Sequence, residues 1–446
     1  MALKGLDIFK LLPKTNCGDC GVPTCLAFAL KVAAKQAALE ECPHVSEQAK
    51  AELGAASQPP QKLVKIGSGE TDLEIGNETV MFRHDEKFHH KPGIAVLEDD
   101  TDELQQKADR IKALAFERVG EIIAVNMVAL NCASGDGGKF KDAAAGLSDA
   151  LGLPLVLIAR NAGQLADAAK ALSNARPLLW ERGGPSDELI QLAAETKLPI
   201  VVEGNLEKCD ADVQKAKAAG IAEMVLCPGE VDPAQALEFL TLTRRAALRA
   251  HYRPLGFPVL VRAWAENPAQ QSLEACGYVC KYAGIVVLSV DSPEYVLPIL
   301  TMRQDIYVDP QKPVQVESKL YEVGEPDDKS PLLVTTNFSL TFYSVLSEVE
   351  ASRVPARVLA VDTEGTSVLT AWAADKFGPE QIKKTMQATG ALEKLAEAYR
   401  RPVIPGLVAV ISGELEEELG CSVIVGPKEA GGIPSFLKNE WRNLVG

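Results

Sequence analysis

Between Gly93 and about Val308 the chain alternates short, β-branched apolar runs with longer Ala-rich amphipathic stretches, which is the rhythm of βα units. The apolar runs are GIAVLE (93–98), IIAVNMVAL (122–130), LVLIA (155–159), PLLWE (177–181), PIVVEG (199–204), AEMVLC (222–227), PVLVRAW (258–264) and IVVLSV (285–290). Each is followed by a helix-favouring stretch, such as TDELQQKADRIKALAFERV (101–119) or PAQALEFLTLTRRAALRA (233–250). Eight such units in about 215 residues predict one closed (β/α)8 TIM barrel over 93–312. A charged, turn-rich passage (309–330) then leads to a second α/β pattern with strands LLVTT (332–336), RVLAVD (357–362), GLVAVIS (406–412) and CSVIVG (421–426), and a last helix near Ile433 to Leu444. This predicts an open, doubly wound, Rossmann-like sheet over 313–446, with its ligand beyond the carboxyl ends of the strands.

The front of the chain has a different texture. Residues 1–57 hold four of the ten cysteines, and GAASQPPQK (54–62) is a linker by composition. Residues 58–92 read as a connecting arm of short extended pieces.

Composition narrows the classes. No run of about 18 apolar residues occurs, so no membrane-spanning helix is expected. Lys10 and Lys14 interrupt the opening segment, so it lacks a secretory signal core and a cytoplasmic location is expected. Forty-six Lys and Arg against 61 Asp and Glu give a net charge of −15, which argues against a nucleic-acid partner. In a reducing compartment, clustered cysteines are read first as metal or redox sites.

Cys17, Cys20, Cys25 and Cys42 are spaced C-x2-C-x4-C-x16-C, with Pro43 after the last. Four soft thiolates are what an iron–sulfur cluster requires, and the glycines of NCGDCGVPTC let the backbone approach it closely. The stretch LAFALKVAAKQAALEE (26–41) favours a helix that returns Cys42 to the same cluster. Structural zinc and a free-thiol redox pair are the alternatives; the single C-x2-C knuckle favours [4Fe–4S] over zinc. His44 reads as an exposed polar neighbour.

With this cluster motif, a central barrel and a C-terminal Rossmann-like domain, the whole chain resembles the large (gamma) subunits of corrinoid iron–sulfur proteins of the acetyl-CoA (Wood–Ljungdahl) pathway. The resemblance implies a heterodimer with a small subunit. It also implies a corrinoid whose Co(I) takes a methyl group from methyltetrahydrofolate through a methyltransferase and passes it to acetyl-CoA synthase. The [4Fe–4S] cluster, on Cys17, Cys20, Cys25 and Cys42, would return lapsed Co(II) to Co(I).

The five histidines are His44, His84, His89, His90 and His251, so residues 252–446 cannot offer an imidazole to cobalt. The D-x-H-x-x-G motif of many corrinoid carriers is missing; DTEGTS (362–367) carries Glu364 there instead. A cobalt without a strong lower nitrogen favours four-coordinate Co(I), in keeping with the base-off, His-off cofactor that the resemblance implies. The expected contacts lie in TTNFSLTFYSVL (335–346), DTEGTSVLTAWA (362–373) and GPKEAGGIPSF (426–436). They are Leu340, Thr341, Leu346, Gly365, Thr366, Thr370, Ala371, Trp372, Ala373, Gly431, Gly432 and Ile433, where small residues and hydroxyls admit a corrin edge and helix starts suit the tail phosphate.

Elsewhere the bland reading is preferred. Asn131, Arg160, Glu181, Glu203 and Trp264 at barrel strand ends read as scaffold, Cys276 and Cys280 as buried small residues, and SGDGGKF (134–140) as a βα turn. His84, His89 and His90 read as part of the polar arm. The runner-up function is an iron–sulfur oxidoreductase with a substrate-binding barrel and a nucleotide-binding C-terminal domain, but TTNFSLTF lacks the required G-x-G-x-x-G turn. A third option is a scaffold that uses its cluster only for folding.

Overall fold

The computed structural model describes residues 5–33, 37, 41–46, 60–101 and 103–445. Residues 54–59 of the expected linker, and most of the expected helix beyond Ala33, lie outside the described residues.

Among the described residues, the helices Gly5–Leu11 and Cys25–Ala33 come first, then an antiparallel hairpin of β1 (Leu63–Ile66) and β2 (Leu73–Gly76). The barrel is built from eight parallel strands: β3 (Gly93–Asp99), β6 (Met127–Asn131), β7 (Leu155–Ala159), β8 (Leu178–Glu181), β9 (Ile200–Glu203), β10 (Met224–Cys227), β11 (Val259–Arg262) and β12 (Ala283–Leu288). Each pairs with its neighbour in sequence, and β12 closes on β3. The strands read as unbroken apolar runs because one face fills the barrel and the other packs under helices; all five residues of β7 are buried.

The expected strand 122–130 is two strands of different sheets. A hairpin of β4 (Ala115–Arg118) and β5 (Glu121–Ala124) precedes the barrel strand β6, so the expected helix 101–119 ends at Ala113. Arg118 pairs with Glu121 across a two-residue turn, and Val119 (φ 53°) and Gly120 (φ 72°) both occupy the left-handed region that such a tight hairpin demands. A Cβ at Gly120 would meet the ring of Tyr343, with Cε2 at 2.6 Å.

The chain divides into two compact units, one of residues 1–81, 89–114 and 125–306, the other of 82–88, 115–124 and 307–446. The second is organised by a five-stranded sheet of order β13-β15-β14-β16-β17, formed by β13 (Leu320–Val323), β14 (Leu332–Thr336), β15 (Ala356–Val361), β16 (Val403–Ile404) and β17 (Ile424–Val425). All pairs are parallel except that of the edge strand β13. Alternate residues of β14 feed two cores: Leu332 and Val334 pack with Phe377, Ile382 and Leu415, whereas Leu333 packs with Phe342, Val349 and Trp441. Apolar residues thus cover both faces of the sheet.

Two expectations fail here. Residues 406–412 form a 3-10 turn and the start of a helix; the strand is the pair Val403–Ile404 just before it. Pro405 bends the chain, and Gly406 lies so close to the next strand that a Cβ would sit 2.5 Å from the Gly426 carbonyl. The charged passage 309–330 hides β13, whose half-exposed edge position tolerates polar residues.

Candidate functional site

In the N-terminal segment, the loop from Asn16 to Cys25 is shaped by left-handed residues: Asn16 (φ 50°), Gly18 (φ 81°) and Gly21 (φ 72°). The Gly21 amide donates to the Gly18 carbonyl at 2.9 Å, and the Asn16 side chain accepts from the Cys25 amide at 2.8 Å, which fixes where the helix Cys25–Ala33 begins. Cys25 and Cys42 are buried in one cluster with Ile8, Leu12, Val22, Phe28 and Val45, and half-buried Cys20 packs against it. Cys17 is exposed. Beyond Cys42, the His44 Nε2 meets Asp19 Oδ2 at 2.6 Å and so ties the chain after the last cysteine to the loop that holds the first two. That contact, and next a hydrogen bond from Cys17, hold the Asp19 carboxyl below its ordinary range. The ligating atoms of Cys17, Asp19 and His44 all lie within 4.8 Å of one another.

The donor chemistry fits a cluster. All four cysteines are free thiols, and a Cβ placed at Gly18 or Gly21 would meet nothing within 4 Å, so the loop keeps open space beside its sulfurs. His44 is placed as an ion-pair partner.

In the second unit, a cavity of about 130 Å³ opens beside the carboxyl ends of β14, β16 and β17. Thr335, Val403, Pro405 and Pro427 line it together with Thr341, Ser344 and Ile433. The hydroxyl of Thr335 (1% exposed) is buried with no hydrogen-bond partner among the described residues, as is that of Thr336 (0%), which lies outside the cavity lining. Buried polar groups are rarely left so, and an orphaned donor at a cavity wall marks where a ligand is accommodated.

Of the twelve expected contacts, the cavity gathers two, Thr341 and Ile433. Leu340 (56% exposed) and Trp372 (41%) stand out in solvent, as do Leu369 (47%), Leu407 (40%), Val410 (74%) and Val425 (42%), all on β17 or in segments that follow β14, β15 and β16. Thr370, Ala373 and Gly431 are also exposed, Leu346, Thr366 and Gly432 half-buried, and Ala371 buried in the core beside Val368. Gly365 serves the fold: at φ 70° its amide donates to Asn337 Oδ1 at 3.1 Å, and a Cβ would strike Gln315 Cγ at 2.6 Å. Thr335 and Thr336 were not singled out by sequence, although two hydroxyls closing the apolar run LLVTT were a usable signal. The second unit holds one histidine, His84, which is exposed, stacked on Phe82 at 5.6 Å and 3.4 Å from Asp85.

At the barrel, Glu203 accepts from Trp180 Nε1 (2.7 Å) and the Gly183 amide (3.0 Å), and Glu181 from the Ser186 amide (2.9 Å), so these carboxylates brace their own loops. Asp136 caps the helix Gly137–Leu151 by accepting from the Gly138 and Lys139 amides. Burial pushes the Cys276 thiol up to about 11, the mark of an inert sulfur. Among the described residues, no helix is long and apolar enough to cross a membrane.

Fold and site together define an α/β protein with a closed eight-stranded barrel, a cysteine loop of iron–sulfur type and a separate cavity-bearing sheet. Residues 12–44 match the family model described as a putative Fe–S cluster, and residues 63–437 match that of the CO dehydrogenase/acetyl-CoA synthase delta subunit. The chain is 43% identical to the corrinoid/iron–sulfur protein large subunit of Moorella thermoacetica over 98% of its own length and 99% of that protein. It is 32% identical to the acetyl-CoA decarbonylase/synthase complex subunit gamma of Methanothermobacter thermautotrophicus, covering 98% and 99%. Among solved structures, the dihydropteroate synthase of Thermus thermophilus superposes at a TM-score of 0.40 with 16% identity, over 55% of this chain and 100% of that one. The chain belongs to the family of corrinoid/iron–sulfur protein large subunits.

Proposed function

We propose that this chain is the large subunit of a heterodimeric methyl carrier that holds a [4Fe–4S] cluster at its front and a corrinoid on its C-terminal sheet. The observation that carries the reading is end-to-end similarity to a corrinoid/iron–sulfur large subunit at 43% identity. Cys17, Cys20, Cys25 and Cys42 are the cluster ligands in this reading, with the His44–Asp19 contact bracing the loop from outside. The domains are 1–57 for the cluster, 58–92 for the arm, 93–312 for the barrel and 313–446 for the corrinoid. When bound, the corrinoid supplies a nucleophilic cobalt that accepts a methyl group from methyltetrahydrofolate and yields it to acetyl-CoA synthase, and the cluster supplies the single electrons that restore Co(I).

This chain's own residues bind and shield. Thr335 lines the cavity and its hydroxyl is orphaned, so a small side-chain rotation would let it donate to an amide or phosphate oxygen of the cofactor. Leu340, Leu369, Trp372 and Leu407 offer apolar contact to the ring and to the small subunit. Residues 252–446 hold no histidine, so that segment would offer a bound corrinoid no imidazole, in keeping with a base-off, His-off state.

The test is an ultraviolet–visible spectrum and metal analysis of the complex coexpressed with its small subunit and purified without oxygen. Corrin bands with about four iron and four sulfide per chain are expected. Zinc in place of iron, or no corrin pigment, would overturn the reading.

A further inference from the structure

We propose that the carboxyl mouth of the barrel is a phosphate-binding site, with Arg262 and Arg182 as its cationic jaws and the Trp264 indole N–H as a third donor. Arg262 is the last residue of β11 and Arg182 directly follows β8, so both stand at the end of the barrel where ligands of this architecture bind. The Arg262 guanidinium lies over the Trp264 ring at 4.1 Å from its centroid and donates one long hydrogen bond, from Nη2 to Ser289 Oγ at 3.3 Å. Its Nε–H and the neighbouring Trp264 Nε1–H are both buried, with no hydrogen-bond partner among the described residues. Arg182 is tied to the mouth by one bond, Nη2 to Asn131 Oδ1 at 3.1 Å.

Neither arginine has a carboxylate partner among the described residues. Of the carboxylates that act on Arg262, Glu230 is exposed and Asp99 accepts from Asn131 Nδ2 at 2.6 Å. Burial, then the like charge of Arg182, weaken the hold of Arg262 on its proton, against the pull of Glu230 and Asp99. Two guanidinium groups held near one another, with two adjacent buried N–H donors unsatisfied, are costly in a protein that carries a net charge of −15 and has carboxylates to spare. A tetrahedral dianion resolves all of these together: it balances both charges and offers acceptors to the guanidinium forks and the indole. A monocarboxylate would leave one arginine uncompensated. The ligand class is therefore a phosphate or a small phosphate ester, at a site that shares no residue with the cluster loop or the C-terminal cavity.

Titration calorimetry of the intact complex with inorganic phosphate at low ionic strength should show one saturable site per chain. R262Q and R182Q should each weaken it at least about 10-fold, R262K should fall well short of wild type because an ammonium lacks the fork, and W264F, which keeps the stacking ring, should weaken it a few-fold. Acetate should give no saturable heat. Corrin bands and iron content should stay at wild-type levels in every variant, which separates this site from the carrier reading. Absence of a saturable phosphate signal in wild type, equal binding by acetate, or wild-type affinity in R182Q would overturn the proposal. R182Q, altered at an exposed side chain, keeps the test open should R262Q misfold.

Discussion

Replacing Thr335 by valine should push stability and cofactor affinity in opposite directions. The Thr335 hydroxyl is buried with no partner among the described residues, and an unsatisfied buried hydroxyl costs about 1–3 kcal/mol. Valine has nearly the same shape and an equal preference for strands, so Thr335→Val should stabilise the corrinoid-free protein by about 1 kcal/mol, or about 3 °C in Tm. If the hydroxyl donates to bound cofactor, its loss should also weaken corrinoid binding by about 1 kcal/mol, roughly 5-fold in Kd. Thr336 supplies the internal control. Its hydroxyl is equally orphaned but does not line the cavity, so Thr336→Val should raise Tm without touching corrinoid affinity. Thermal melts of the cofactor-stripped protein and absorbance titrations with cobalamin read the two effects separately. A Thr335→Val protein that binds corrinoid as well as wild type would refute the role given to this hydroxyl, and an unchanged Tm would show that solvent already satisfies it.

Cys42→Ser should lose most of the iron and the broad visible absorption of the complex while leaving the corrin bands, measured by metal analysis and anaerobic spectroscopy. Under the barrel, Arg244 (3% exposed) reaches Glu78 Oε2 at 3.3 Å, Gln61 Oε1 at 3.1 Å and the Val80 carbonyl at 3.2 Å. Arg244→Met strands the Glu78 carboxylate in the interior and should cost about 3–5 kcal/mol, read as a drop in Tm of at least about 6 °C. At the sheet edge, hydrogen bonds from Lys394 and then Arg357 hold the Glu322 carboxyl below its ordinary 4.5. A depressed carboxyl gives stability that is present above the unfolded value and is lost as pH falls through the folded one. Glu322→Gln should therefore narrow its Tm gap to wild type as pH is lowered from 5.5 towards 3, and a constant gap would contradict the assignment.

The barrel was legible because its strands are buried on both faces, so each appears as a short unbroken apolar run. The same logic misled at 122–130: Val125 and Asn126 are all that separate an exposed hairpin strand from a barrel strand, and the Asn126 side chain serves the fold by accepting from the Ile94 amide and Arg303. In the second unit, Val408 and Ile411 are as buried as any strand residue, and only the bend at Pro405 and Gly406 distinguishes their 3-10 turn from the strand that LVAVI suggests. The cysteine spacing could be read directly because the ligation proposed for it would dictate residue type and spacing together. The cavity could not, because the apolar and small polar residues that line it carry no type signature; Gly365 looked like an approach point and is a packed turn.

The size of the cavity bears on how such a carrier must work. At about 130 Å³ it falls well below the roughly 300–1,000 Å³ of a pocket that engulfs a drug-sized ligand, so on the proposed reading it would take an appendage of the corrinoid and not the ring. The ring would then lie over Leu340, Leu369, Trp372 and Leu407, a surface left open by this chain. A carrier that must present one cobalt to a methyl donor and then to an acceptor gains from that weakness. Anchoring the appendage in a fixed cavity retains the cofactor through every exchange, while the shallow apolar bed lets successive partners compete for the upper face without first breaking a deep enclosure. On the proposed reading, specificity for the ring itself would then fall to the small subunit. Corrinoid retention should accordingly depend on the small subunit far more than on any single residue of the rim: Trp372→Ala in the intact complex should keep its corrin bands, whereas the large subunit purified alone should lose them on gel filtration.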